Sequence, residues 1–574
     1  MGFWQLGNTS VRSALRIRDG LIALSKSPIQ GNIRNVEGDI AFRELLGQSG
    51  VVSLGEDSTN SVGRKWRSAM AKLGFIYPEV KRDMGFSQAD LGQLDAITPA
   101  GRNLIEAQTV AAIQECYLRA MVTPTTPTED GSTFSPLCWV LALMLNLEYR
   151  GAEAHISFPE MATIAIATTP ADGLDAVTDA LLDLRERRNA AERKRIFDRT
   201  MYEQKAADFG CAASTFRDYA DMNIRYLKAT GMVQAKGKGI ALIPEKHTLA
   251  VQLTLSLESY EPLLNIYRSL CVGSELPTDH QDMAVQVLQD LLPQAQKYGI
   301  RYSLAGKLLD TPAHINQVRY EIEQLISEKK EEYYALHQAE EWEEIAAYMD
   351  LIATRRDHIR IDEDTELRIP RAEAPAYLEW SLWRAFLALD SLVNKPYKVR
   401  RFNIDQDFMP VSTAPGNGAD LIAEFDDRII VIEVTLSESS RQEAMEGEPV
   451  RRHVADLMQQ SDKPVYGLFI ANRIDSNTAE TFRIGRWYTR DDDRLDLSII
   501  PITLQQFSGY FRAMFEHGKA SPNRVFSLMN ECDAWRRVYR DDIEGRNGRM
   551  ECGAPQWKSA IAEIVASRII ALSS

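Results

Sequence analysis

The pattern of apolar and polar positions is most informative between residues 420 and 433. Leu421-Ile422-Ala423-Glu424-Phe425 and Arg428-Ile429-Ile430-Val431-Ile432 are β-rich runs on either side of the acidic turn Asp426-Asp427. The second run is almost continuously apolar, as a strand buried on both faces should be. If the turn closes an antiparallel hairpin, Asp420 and Glu433, equidistant from it, become direct cross-strand neighbours. Opposed residues in such a ladder hold their Cβ atoms ~5 Å apart, close enough for two carboxylates to share one divalent cation. Hard cations such as Mg²⁺ take carboxylate oxygens at ~2.1 Å. Two acids at a buried strand edge are costly unless their charge is compensated. On spacing alone, Asp420 reads equally as a turn residue after Pro415-Gly416-Asn417-Gly418, and Glu433 as a strand end.

Elsewhere the pattern divides the chain in three. The first third reads as helices with short β punctuation. Arg64 through Lys72 predicts a basic helix, followed by a Gly74 stop and a strand at Phe75-Ile76. Ala96-Ile97 then returns into a helix with Thr98 as N-cap and Pro99 at its first position. Helix, hairpin and capped helix make the outline of a winged helix. The outline recurs from Ser214 to Gly231, followed by a hairpin around Lys236-Gly237-Lys238, with another capped helix starting at Ser157-Phe158-Pro159-Glu160. Each unit alone is also a generic helix plus hairpin. Two of them with basic residues on the expected recognition helix or wing point to nucleic acid, with Arg64, Lys65, Arg67, Arg217, Arg225, Lys236 and Lys238 as candidate contacts. The densest basic cluster, Arg185 to Arg195, reads equally as phosphate contacts and as a helix face pairing with Glu186 and Glu192.

From Ala284 to Asp364 the pattern is helical, charged and without candidate chemistry. From Pro370 a Trp-rich helix (Tyr377 to Leu387) precedes the acidic hairpin, and buried strands follow at Val465 to Ala471 and Leu497 to Ile502. A helix from Ser559 to Ala571 closes the chain. Strands alternating with helices predict a mixed α/β sheet. The expected organisation is a mainly α, winged-helix-like recognition region over 1–283, a helical linker over 284–369 and an α/β domain over 370–574.

Composition narrows the class. At 574 residues the chain exceeds a single core. No apolar run approaches the ~20 residues of a membrane span. Leu137 to Leu145, the longest, reads as a core helix, and no signal peptide is expected. The cysteines (116, 138, 211, 271, 532 and 552) lack CxxC spacing, which argues against zinc and disulfides and fits a reduced cytoplasm. A net charge of −15 speaks against non-specific coating of nucleic acid, while local basic patches remain open. The acidic run Glu331 to Glu344 reads as a solvated face.

An Asp, a spacer of about a dozen residues and then Glu match the general pattern of PD-(D/E)xK nucleases. The fuller string is more specific: Pro410-Val411, Ala414, Gly416-Asn417, Asp420, Glu433-Val434-Thr435, Glu446, Glu448-Pro449-Val450, Arg452-His453 and Leu468-Phe469-Ile470-Ala471. It resembles the AlwI family of type IIS restriction endonucleases, to which BstNBI-type nicking enzymes are similar. The resemblance implies a C-terminal PD-(D/E)xK cleavage domain. Asp420 and Glu433 match the family's Mg²⁺-binding acids, with help from the Val434 carbonyl, and Glu446 and His453 match further active-site positions. Glu379 matches a helix acid ahead of the sheet, although between Leu378 and Trp380 it also reads as the solvated side of an amphipathic helix. Thr435 departs from the wider pattern, where a lysine is usual; His453 or Glu446 is the natural replacement. Their seven-residue spacing puts both on one helical face, with Pro449 between them as a potential kink.

The expectation is therefore a Mg²⁺-dependent, type IIS-like endonuclease. It would bind a short asymmetric duplex DNA site and cut at a fixed offset, with a second subunit or transient homodimer for the second strand. The alternatives are a strand-specific nicking enzyme of the same family and a DNA-binding regulator with an inactive nuclease-like domain.

Overall fold

The computed structural model of the chain describes residues 2–52, 61–360, 366–438, 441–545 and 553–573. It divides into two compact units, Met1–Ser327 and Glu328–Ser574. The protein is mainly helical, with a mixed sheet in the second unit. Among the described residues no helix is long and apolar enough to cross a membrane. Cys116, Cys138, Cys211, Cys271 and Cys532 are free thiols; Cys552 lies outside the described residues.

In the first unit the helix Pro136–Tyr149 is apolar on nearly every face and is buried accordingly. The basic helix spans Ser61–Lys72 and ends ahead of Gly74, which takes a left-handed φ of 69°. A bridge joins Ile76 to Ile97. The Thr98 side chain accepts a hydrogen bond from the Gly101 amide and caps the helix Pro99–Glu106, with Pro99 in its first turn. The second outline contains a three-stranded antiparallel sheet. Gly239–Leu242 lies at its centre, between His155–Ile156 and Val233–Lys236, and the helices Phe158–Thr163, Lys194–Phe209 and Ala213–Ala229 belong to the same stretch.

Arg185, Arg187 and Arg188 of the basic cluster are tied to acids of their own unit. Arg185 meets the buried Glu160, Arg187 meets Asp183, and Arg188 makes a two-pronged contact with Asp198. Of these acids only Asp183 lies four residues away on the same helix, and neither Glu186 nor Glu192 is the partner.

The segment expected as a helical linker over 284–369 is shared between the units. Its first part, with Leu288, Ile315 and Ile322, packs as a small core of its own. Its later helix, Trp342–Ala353, buries Ile345, Met349 and Ile352 in the core of the second unit. Apolar residues on both sides of that helix leave no stable solvated position for it.

The acidic run is solvated at Glu340, Glu341 and Glu343 but not throughout. Glu331, 2% exposed, receives a two-pronged contact from Arg400, with N–O distances of 2.7 Å. Arg384, 1% exposed, donates to Gln338, Glu341 and Glu344 and lies over the Trp380 ring. A cation buried in the Trp-rich helix demands acids, and the run supplies them.

The second unit is organised on a four-stranded sheet in the order Ile499–Thr503, Val465–Ala471, Ile429–Thr435, Leu421–Glu424. The first three strands are mutually parallel and the last is antiparallel. The helix Glu448–Gln460 packs on the sheet at Gly467, where a Cβ would stand 2.8 Å from Ile499 and 3.1 Å from Val454.

Arg400→Ala strands the Glu331 carboxylate in the core. The expected cost is about 3–5 kcal/mol, read as a lower unfolding temperature of the second unit. An unchanged transition would show that Glu331 finds water instead.

Candidate active site

The ladder pairs Leu421 with Ile432, Ile422 with Val431, Ala423 with Ile430 and Glu424 with Ile429. One step further along the same register, Asp420 faces Glu433. The predicted hairpin and its pairing are thus present. Asp420 Oδ2 accepts from the Val434 amide at 2.9 Å, which fixes the aspartate across the end of the neighbouring strand. Glu433 is 6% exposed and ends the continuously apolar part of its strand.

Two further acids face this pair. Glu379 lies on the helix Ala374–Ala388, every residue of which from Ala376 to Ala388 is buried. It is 5% exposed, and Oε2 accepts from the Ala414 amide at 2.7 Å. The alternative of a solvated helix side is therefore excluded. Glu446 sits in a π-helical turn, Glu443–Gly447, directly ahead of the helix Glu448–Gln460, where the nearby Thr435 hydroxyl favours its ionised form. Pro449 lies in the first turn of that helix, where its missing N–H breaks no ladder bond. It marks a helix start rather than a kink between Glu446 and His453.

His453 Nδ1 contacts Glu433 Oε1 at 2.6 Å. Its Nε2 is buried without a hydrogen-bond partner among the described residues. The connection between strand 429–435 and the π turn is held by Gln442, which is fully buried. Its amide donates to the Ser437 and Arg473 carbonyls, and its oxygen accepts from the Asp475 amide.

Electrostatics follow from this crowding. Burial, and then the charge of Asp420, drive the Glu379 carboxyl well above the ordinary range. Burial and then Glu433 do the same to Asp420, against the Val434 amide, which favours its ionised form. Burial and Glu446 push Glu433 up to about 8, with Arg401 and Arg452 opposing. Burial raises Glu446 as well. Burial, followed by the charge of Arg452, lowers His453 and so disfavours its protonated form. Like charges have been gathered in a desolvated place without an equal number of cations. Among the described residues no three His, Cys, Asp or Glu side chains by themselves enclose a metal ion. The register offers instead two opposed carboxylates, Asp420 and Glu433, adjacent to the Val434 backbone. Hard oxygen donors carrying excess negative charge fit a divalent cation.

The expected nucleic-acid contacts divide by environment. Arg64, Arg217 and Lys238 are exposed and Lys65 is half-buried. Arg67 is occupied by Asp39 and the Ile33 carbonyl, Arg225 pairs with Asp221, and Lys236 contacts Glu153. Arg67 and Arg225 are thus paired in partly buried surroundings, while Lys236 and Glu153 pair at the surface. Arg401 was not foreseen: its guanidinium hydrogen-bonds the 417–419 turn immediately ahead of Asp420. It stands at no motif spacing, and nothing in the pattern singles it out.

No curated protein matches the chain. Among solved structures, the small subunit of the heterodimeric restriction endonuclease R.BspD6I is similar at 22% identity. The similarity covers 38% of this chain and 98% of that one, with a TM-score of 0.28. The profile of AlwI restriction endonucleases matches residues 71–509, well over half of the chain and all of the acidic cluster with His453. The chain therefore belongs to the AlwI restriction endonuclease family and is a restriction enzyme whose substrate is DNA.

Proposed function

We propose that this restriction enzyme is type IIS-like. Its first unit binds a short asymmetric duplex site, and its second hydrolyses phosphodiesters at a fixed offset with Mg²⁺. The observation that carries the reading is the pairing of Asp420 with Glu433 in contact with His453, within a cluster of buried acids. A regulator with a dead nuclease domain has no need to keep that cluster.

Asp420, Glu433 and the Val434 carbonyl would hold the cation. The chemistry supplied by Mg²⁺ in that place is polarisation of the scissile phosphate and a lowered pKa for bound water. Glu433 must be ionised to ligate a metal, so His453 Nδ1 carries the proton shared with it and Nε2 presents a lone pair. On this reading that nitrogen would take a proton from the attacking water. Glu379 holds the Ala414 amide, and with Glu446 it deepens the negative field at the cation position.

In the first unit, winged-helix readers are supported by two features. One is the helix Ala213–Ala229 followed by its hairpin in a three-stranded sheet; the other is the capped-helix unit around Thr98. Arg64, Arg217 and Lys238 are the exposed candidates for phosphate or base contact. Among the described residues one such acidic cluster is present, so on this reading one engagement cuts one strand. A second copy or subunit makes the second cut, and a nicking enzyme is the case in which it does not.

Supercoiled plasmid with Mg²⁺ is expected to give nicked and then linear product with wild type and none with Glu433→Ala. Product persisting in the variant would sink the site assignment, while end sequencing yields site and offset. His453→Gln should lower the cleavage rate ~10²–10⁴-fold, the usual contribution of a positioned general base, with little change in the Mg²⁺ needed for half-maximal rate.

The raised carboxyls also predict a pH effect in EDTA. A carboxyl with a raised folded-state pKa binds its proton more tightly in the folded protein. Its stabilisation is therefore present at low pH and lost as pH climbs from about 4 through about 8, the value for Glu433. Glu433→Gln should raise the unfolding temperature in EDTA at pH 8.5 and leave it nearly unchanged at pH 5. Added Mg²⁺ should stabilise wild type at pH 8.5 and not the variant. Equal responses of both proteins to Mg²⁺ would count against metal binding at Glu433.

A further inference from the structure

Among the described residues, few positive charges act on the acidic cluster. Arg401 and then Arg452 are the cations whose charge acts on Glu433, and both act on His453 as well. Arg452 is a partly exposed helix residue that donates to Glu448 at 3.2 Å. Arg401 is held differently. Its Nη2 donates to Asn417 Oδ1 at 2.6 Å and its Nη1 to the Ala419 carbonyl at 3.3 Å. Those contacts span the turn that delivers Asp420. Gly418, between them, is approached so closely that a Cβ there would stand 2.0 Å from Nη1. The guanidinium therefore occupies the space over the backbone that only a glycine leaves open.

Asp420 itself is reached from one side only by secondary structure. The paired strand begins at Leu421, and the residues from Ala414 to Ala419 form no helix or strand. The Val434 amide fixes the side chain, Glu379 fixes Ala414 at the far end of the loop, and Arg401 fixes the middle. We propose that Arg401 is a positioning residue of the nuclease site: it clamps the 417–419 turn so that Asp420 faces Glu433, and it brings a permanent positive charge to the acids. This rests on the nuclease reading above. The planar fork suits the task, because it bonds two oxygens in fixed directions and stays charged at every relevant pH, which a lysine achieves only in part.

The test compares the full-length protein with Arg401→Gln, Arg401→Lys and Gly418→Ala on supercoiled plasmid across a Mg²⁺ titration. Glu433→Ala runs in parallel. Arg401→Gln is expected to lower the maximal rate at least 30-fold and to raise the Mg²⁺ concentration for half-maximal rate at least fivefold. Binding of the plasmid in Ca²⁺, read by gel mobility, should stay within threefold. Arg401→Lys should recover part of the rate. Gly418→Ala, which keeps the charge but displaces the fork, should shift the Mg²⁺ dependence in the same direction, and it tests the clamp even where Arg401→Gln fails to fold. Rates and Mg²⁺ dependence within threefold of wild type for the folded Arg401 and Gly418 variants, with Glu433→Ala dead, would overturn the clamp and leave the nuclease reading standing. A wild type that cuts no better than Glu433→Ala would overturn both.

Discussion

Like-charged carboxylates buried together at the end of a β-sheet are the constraint on which the second unit depends. Glu379, Asp420, Glu433 and Glu446 each carry a raised pKa, with desolvation as the largest cause. Such an arrangement works against folding, so the rest of the domain has to hold it in place. Glu433 sits in a strand hydrogen-bonded on both sides. Glu379 lies on the fully buried Trp-rich helix, and that helix is anchored by the Arg384 network. On the proposed reading, what is unfavourable without a counter-charge would become the driving force for taking up a cation, the usual exchange of stability for function at an active site.

The same economy explains the polar network around the cluster. The Val434 amide, the Ala414 amide and the Thr435 side chain each engage one of the acids. The π turn at Glu443–Gly447 offsets Glu446 from the helix that carries His453, the kind of local helix irregularity that often accompanies functional sites. Gln442 joins the loops that follow two parallel strands. His453 is oriented by its bond to Glu433, which commits Nδ1 and leaves Nε2 without a hydrogen-bond partner among the described residues.

Net charge and local charge separate in the first unit. An acidic protein that acts on DNA needs basic residues not already neutralised by neighbours. Arg67, Arg185, Arg188 and Lys236 are each matched to an acid, so a count of lysines and arginines overstates what a DNA duplex would meet. Arg64 and Arg217 remain exposed on helices whose apolar faces are buried in the core.

Much of the site was legible without coordinates. The hairpin, its register and the facing of Asp420 and Glu433 follow from equal spacing about an acidic turn and from the two-residue period of a strand. The Thr98 cap and the helix after Pro99 follow from local side-chain chemistry for the same reason: the interacting groups are neighbours in the chain. Other features depended on residues far apart in sequence. Glu331 looks solvated until Arg400 is folded against it. The helix Trp342–Ala353 looks like linker until its apolar faces meet the second core. Pro449 resembles a kink until the helix is seen to begin there, and Arg401 has no motif to announce it. By itself the sequence determined which acids face each other, because periodicity and turn position are local. The tertiary structure decided which charges are buried and paired, because desolvation depends on everything packed around a group.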